Sequence, residues 1–199
     1  MSLLLETIKC KDGKLYNLSF HNFRFNKARK ELFNFAGEID LNDIIKIEEK
    51  HKKGLFRCRV IYSENEIKTE FLPHSFRKIK SLKLVTDNNI DYHLKYHNRE
   101  VLQQLFEKRG NCDDILIVKN GYITDSFAGN VVFFDGQNWW TPDTPLLEGT
   151  QRSSLLKQRK IKECKITPAS LPKYLKIGLI NAMQDFNEMP VIEIQNIYQ

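Results

Sequence analysis

HLKYHNREVLQQLFEKRGNCDDILIVKNGYITDSFAGNVVFF, residues 93–134, changes its hydrophobic period part-way along. Val101, Leu102, Leu105 and Phe106 recur at helical spacing, so a helix is predicted over Asn98–Arg109, with Gly110 as its stop. Asp114–Val118 has the length and composition of a buried strand, Asn120-Gly121 reads as a hairpin turn, and Val131–Phe134 as another strand. Asp135-Gly136 supplies a second hairpin turn leading to Trp139 and Trp140. Strands paired this densely predict a barrel or strongly curled sheet. One lysine, Lys95, stands just before the helix, and one carboxylate, Asp125, lies in a turn between two apolar strands.

Toward the N-terminus, Leu3–Cys10 reads as a strand and Asp12-Gly13 as a hairpin turn into a second short strand. A helix follows, with Phe23, Ala28, Leu32 and Phe33 spaced to line one face. A second helix is predicted over Asp40–His51, capped by Asp40 or Asn42. GLFRCRVIYSENEIKTEFLP has the alternation of a hairpin about Glu64-Asn65. Arg57 and Arg59, two apart, share one face of its first strand: they suit a substrate carboxylate or a salt-bridged sheet face. A strand is predicted over Ile79–Thr86, and the polar turn Asp87-Asn88-Asn89 after it divides the chain into domains 1–86 and 87–199.

Toward the C-terminus, Gly149-Thr150 opens a predicted helix containing Leu155 and Leu156; backbone N–H groups and the positive end of the dipole make such a start a seat for an anion. The tail reads as a strand near Lys165–Thr167, a turn with Pro168 and Pro172, and strands around Ile177–Ile180 and Val191–Ile197. The predicted class is α+β: a small N-terminal α/β sandwich followed by a larger curled sheet or pseudo-barrel.

The 199 residues are 41% hydrophobic with 13 Phe, enough for packed cores. No apolar run approaches the ~20 residues a membrane span requires, and the apolar patch in MSLLLETIKCKDG is too short for a signal peptide, so no membrane role and a cytoplasmic location are expected. Cys10, Cys58, Cys112 and Cys164 lack C-x-x-C spacing, which argues against a metal site or a disulfide framework. The net charge of +6 comes from scattered lysines without interleaved aromatics, which reads as a solvated surface rather than a nucleic-acid interface, and a cofactor phosphate or di-acid substrate would also benefit from it.

LKYHNRE, GYITDSFAGNVVFF and WWTPDTPLLEGTQRSSLL, taken together, resemble the class IV aminotransferases, fold-type IV pyridoxal phosphate enzymes. Lys95, Asn98, Arg99, Gly121, Thr124, Asn130, Phe133, Thr141, Pro142, Gly149 and Arg152 fall on that family's pattern in order. So do Glu6, Thr7, Asp12, Gly13, Leu18, His21 and Arg24 in the opening, and INAM with MPVIEI near the end. The LK..NR wording is closest to the aminodeoxychorismate lyase branch, which makes 4-aminobenzoate and pyruvate.

The resemblance implies that Lys95 binds pyridoxal 5'-phosphate covalently and moves the substrate proton, and that Asp125 pairs with the pyridine nitrogen. Arg24, Thr150, Asn181 and Ala182 would lie at the phosphate, with Asn130 also in the cofactor set. A homodimer and a small anionic, amino-acid-like substrate are implied as well. Two departures stand out: the family has glutamate where Asp125 stands, and usually carries more residues before the Glu6-Thr7 strand, so the N-terminal domain looks trimmed. Three readings follow: a lyase, an aminotransferase of branched-chain or D-amino acids, and a non-catalytic relative.

Overall fold

The computed structural model describes residues 3–199, which form two compact units. One comprises the chain up to Phe76 together with Leu94–Asn98; the other comprises Arg77–His93 and Arg99–Gln199. The division therefore falls at Phe76/Arg77 rather than at 86/87. The strand expected at Ile79–Thr86 is β5 (Leu82–Thr86), and it pairs in parallel with β6 (Asp114–Lys119), which ties it to the larger unit. Lys95, expected in the larger domain, belongs to the smaller unit.

The smaller unit is built on β1 (Leu4–Lys11), β2 (Lys14–Leu15), β3 (Leu55–Tyr62) and β4 (Ile67–Pro73), an antiparallel sheet in the order β2-β1-β3-β4. Asp12 and Gly13 both take positive φ, 49° and 75°, the geometry that lets a two-residue turn follow the twist of its strands. Helix α1 (Leu18–Phe33) and the sheet share a core of Leu4, Ile8, Cys10, Phe25, Ala28, Cys58, Val60 and Tyr62.

The buried side of α1 differs from the predicted one. His21, Phe25, Ala28 and Arg29 point inward, whereas Phe23 is 68% exposed. The true stripe has helical spacing but contains two polar residues, each satisfied by tertiary partners. His21 Nδ1 meets Glu6 at 2.6 Å, and the Arg29 guanidinium lies 4.0 Å from the centroid of the Phe35 ring while donating to the carbonyl of Gly37. The second helix is also shorter than expected. Only Leu41–Ile44 forms α2, with Asp40 accepting from Asn42 N, and the chain is extended at Ile45.

The larger unit holds β5 and β6 with β7 (Tyr122–Ser126), β8 (Asn130–Phe134), β9 (Trp139–Pro142), β10 (Lys162–Cys164), β11 (Lys176–Ile180), β12 (Val191–Glu193) and β13 (Ile197–Tyr198). They make a nine-stranded sheet in the order β10-β9-β8-β7-β6-β5-β13, from which β11 and β12 branch at β8. The branch arises because one edge of β8 pairs with β11 over its length, while the other is shared between β7 at Asn130 and β9 at Phe133–Phe134. The strand expected at Lys165–Thr167 is instead Lys162–Cys164, parallel to β9, and the last predicted strand divides into β12 and β13 around a 3-10 turn. Helices α3 (Glu100–Glu107) and α4 (Thr150–Lys157) complete the unit. Its core gathers Leu82, Leu116, Ile123, Val131, Phe133, Ile177 and Leu179.

Candidate active site

In the smaller unit, the segment carrying Lys95 is fixed by backbone pairing. Since β2 covers only Cys10 and Lys11 of β1, the start of that strand is open on one edge, and residues 95–97 dock there. Leu5 N donates to Lys95 O at 2.9 Å, His97 N to Leu3 O at 2.8 Å, and Leu4 opposes Tyr96 in antiparallel register. Leu4 and Tyr96, the opposed pair, share a face and join the core together with Leu94. Thr7 opposes Arg59 and Lys9 opposes Arg57, so both predicted arginines share the sheet face of Thr7 and Lys9.

The two arginines are not equivalent. Arg59 pairs with Glu70 at 2.5 Å, as a salt-bridged sheet face would have it, whereas the Nε of Arg57 is buried without a hydrogen-bond partner.

Arg24 is held from the other face. Its Nε donates to Glu6 Oε1 at 2.8 Å and its Nη2 to Glu6 Oε2 at 2.6 Å, a fork-to-fork pair, and His21 Nδ1 completes the set around the same carboxylate. Glu6 is fully buried. Burial alone would raise its pKa, but the Arg24 charge, the hydrogen bonds from His21 and Arg24, and the His21 charge outweigh this and hold it at about 2. Burial also keeps the His21 imidazole below its ordinary pKa, with the Arg24 and Lys95 charges adding to the effect against the pull of Glu6. The sequence placed Glu6 in a motif but gave it no task; a carboxylate on the alternation Leu4, Glu6, Ile8, Cys10 of an inward face was the available signal.

In the larger unit, Asp125 lies in β7 and not in the turn, which is made by Phe127 and Ala128. Ladder pairs join Leu116 to Ser126 and Val118 to Ile123, so Thr124 and Asp125 together face the single residue Ile117. This is a β-bulge, a device that re-aims a side chain. Thr124 Oγ1 donates to the Ile117 carbonyl, and the Asp125 carboxylate receives three donors: Asn130 Nδ2 at 2.6 Å, Leu146 N at 2.6 Å and Leu147 N at 3.2 Å. Burial raises the Asp125 pKa to about 6, against the opposing pull of those donors and of Arg152. An ionised carboxylate offers about four acceptor sites, so with three donors in place it can take one more.

Asn130 links this carboxylate to the start of α4. Its amide donates to Asp125 and to Leu147 O, and a Cβ placed on Gly149 would lie 1.9 Å from its Oδ1. Only a glycine admits that approach. Thr150, 97% shielded, is the first residue of α4, whose N-cap Gly149 has no side chain to close the helix start. Arg152 on the same helix is buried and donates to the Pro142 carbonyl and to Glu163. Asn181 and Ala182 follow β11, and Asn181 adjoins Gly129, where an added Cβ would lie 3.1 Å from that of Asn181. The Asn181 amide accepts from Met183 N and donates to Gln184, closing its own turn.

The amino-transferase class IV profile matches residues 3–194. The chain belongs to the class IV aminotransferases. These are pyridoxal phosphate enzymes, and the resemblance read from Lys95, Asn98, Arg99 and the β7–β8 hairpin holds. A protein of Haemophilus influenzae, described as uncharacterized, is 35% identical over 182 residues, covering 90% of this chain and 97% of its own. A solved structure from Haemophilus somnus 129PT, provisionally described as a 4-amino-4-deoxychorismate lyase, is 36% identical with a TM-score of 0.85, covering 92% of this chain and 97% of that one. A hypothetical aminotransferase from Mycobacterium tuberculosis in its pyridoxal phosphate-bound form shares the fold at 18% identity, with a TM-score of 0.76 over 96% of this chain and 80% of that one.

The residues present fit the cofactor. A buried carboxylate with one acceptor site remaining suits a protonated ring nitrogen, and a helix start whose N-cap residue brings no capping side chain suits a phosphate. Among the described residues, no helix is long and apolar enough to cross a membrane.

Proposed function

We propose that this class IV aminotransferase family member is a 4-amino-4-deoxychorismate lyase that releases 4-aminobenzoate and pyruvate. The observation that carries the choice within the family is the 36% identity, over 92% of this chain, to the Haemophilus somnus protein described as that enzyme. In this reading Lys95 holds the cofactor aldehyde and Asp125 keeps the ring nitrogen protonated, with Asn130 fixing the Asp125 carboxylate. Arg24, Thr150 and the backbone at Asn181 and Ala182 receive the phosphate. Bound in this way, the cofactor supplies a ring that accepts electrons from the amine-bearing carbon of the substrate.

The side chains of this chain do the rest. The Lys95 amine takes the proton from the amine-bearing carbon. The C–O bond at the neighbouring ring carbon breaks, so that enolpyruvate leaves with its oxygen and the ring becomes aromatic, and a proton returned to the enolpyruvate methylene carbon gives pyruvate. Arg57, with a buried and partnerless Nε, anchors a substrate carboxylate; Arg59 is engaged by Glu70. The net charge of +6 favours such an anion.

The test is incubation of the cofactor-loaded protein with aminodeoxychorismate. Release of 4-aminobenzoate and pyruvate without any added keto acid is expected. Amino transfer that requires a keto acid, with no 4-aminobenzoate, would overturn the lyase reading. Borohydride should fix the cofactor to the peptide containing Lys95, and Lys95→Ala should abolish both the labelling and the reaction.

A further inference from the structure

Arg99 belongs to the Asn98-Arg99 pair of the family pattern, yet the reading above gives it no part in the chemistry, and Asp114 is a fully buried carboxylate outside the cofactor set. The two meet at one peptide. Phe127 N donates to Asp114 Oδ1 at 3.2 Å, and Arg99 Nη2 donates to Phe127 O at 2.6 Å. The Phe127 ring is gripped as well: the Arg99 guanidinium lies 4.4 Å from its centroid, and Phe106 stacks on it at 4.3 Å and 26°. Phe106 is backed in turn by Arg109 at 4.2 Å and Arg77 at 5.3 Å.

Phe127 opens the turn that joins β7 to β8. Ser126 N donates to Gly129 O at 2.8 Å to close that turn, and the next pair along the ladder is Asp125 with Asn130. On its other side Asp125 sits in the bulge, sharing Ile117 with Thr124, so the β6 ladder does not by itself fix where the carboxylate points. At the turn end of β7 the grip on Phe127 adds to the Leu116–Ser126 pair a second hold, next to the bulge.

We infer that Asp114 and Arg99 clamp the Phe127 peptide at its two ends and thereby aim the Asp125 carboxylate, which makes both of them positioning residues of the cofactor site. This rests on the reading that Asp125 meets the ring nitrogen. The clamp draws on groups that are costly to keep. Asp114 Oδ2 and Arg99 Nε are buried without hydrogen-bond partners, and burial raises the Asp114 pKa to about 6 despite the N–H groups of Ile115 and Phe127 and the charges of Arg77 and Arg99. A start for β6 needs no ionisable side chain. A charged acceptor facing a charged donor across one peptide does fix the orientation of that peptide.

The experiment is a set of double-mutant cycles read by affinity for pyridoxal phosphate, followed by absorbance titration of the cofactor-free protein, with thermal midpoints measured alongside. Asp125→Asn alone tests the underlying reading: it should weaken binding, and if affinity stays unchanged the reading falls and takes the clamp with it. Arg99→Met and Asp114→Ala should each weaken binding roughly tenfold in the Asp125 protein and leave it unchanged in the Asp125→Asn background. Asp114→Asn retains an oxygen that accepts from both N–H groups and should stay within about threefold of the starting protein. Equal losses in both backgrounds would show that the residues only support the fold and would overturn the clamp. Should Asp114→Ala fail to fold, the same cycle with Arg99→Met and Arg99→Lys decides the matter.

Discussion

Glu6 accepts two bonds from Arg24 and one from His21 while wholly removed from water, so its charge is tolerable only with those partners in place. Its pKa, about 2 against an ordinary 4.5, is lowered in the folded state. Its contribution to stability is therefore fully present above pH 4.5 and is lost as pH falls through 2. Glu6→Gln leaves Arg24 and His21 facing an amide that cannot balance the guanidinium, and should cost about 3 kcal/mol at neutral pH. The variant should also lose stability less steeply than the parent between pH 4.5 and 2. Urea unfolding across that range checks both statements, and parallel acid limbs for the two proteins would refute the assignment.

Among the elements, β7 and α4 decide what the site can hold. The bulge in β7 puts two residues opposite Ile117, and α4 begins so close to β8 that Asn130 Oδ1 occupies the place where a Gly149 side chain would go. Gly149 has φ −68°, an ordinary value for any residue, so the demand for glycine here is one of space alone. Gly149→Ala should push α4 and Asn130 apart, removing the amide from the Asp125 carboxylate. A loss of at least tenfold in pyridoxal phosphate affinity is expected, on the order of 1.4 kcal/mol or more. Gly121→Ala, in a turn with φ +81° and no neighbour within 4 Å of the added Cβ, should instead cost roughly 1 kcal/mol of stability and leave cofactor affinity alone. Titration of both variants with the cofactor separates the two effects.

Across the whole molecule, a net charge of +6 and a sequence pI near 9.0 create a positive field for small anions. Association of pyridoxal phosphate with the cofactor-free protein should slow several-fold as ionic strength rises from about 0.01 M to about 0.15 M, where the screening length shortens from ~30 Å to ~8 Å. Uncharged pyridoxal should show little change. Stopped-flow absorbance on both compounds makes the comparison, and an equal response would mean that long-range charge plays no part.

Local patterns carried the elements: Asp12-Gly13 and Asn120-Gly121 form the turns their residue types favour, α3 begins and ends within two residues of expectation, and α4 opens at Gly149-Thr150 as expected, because their signals lie within a few residues of one another. The spaced motif carried the family, since side chains with fixed tasks recur in fixed order. Which face of α1 is buried was hidden, because His21 turns inward for Glu6 on β1 and Arg29 for the Phe35 ring and the Gly37 carbonyl beyond the helix end. The boundary at Phe76, the return of Leu94–Asn98 to β1, the bulge at Asp125 and the grip of Asp114 and Arg99 on Phe127 were likewise beyond reading in one dimension. All but the bulge depend on contacts between segments far apart along the chain, and the bulge on the register of a hairpin; that register is set by the packed whole, not by the residues on either side.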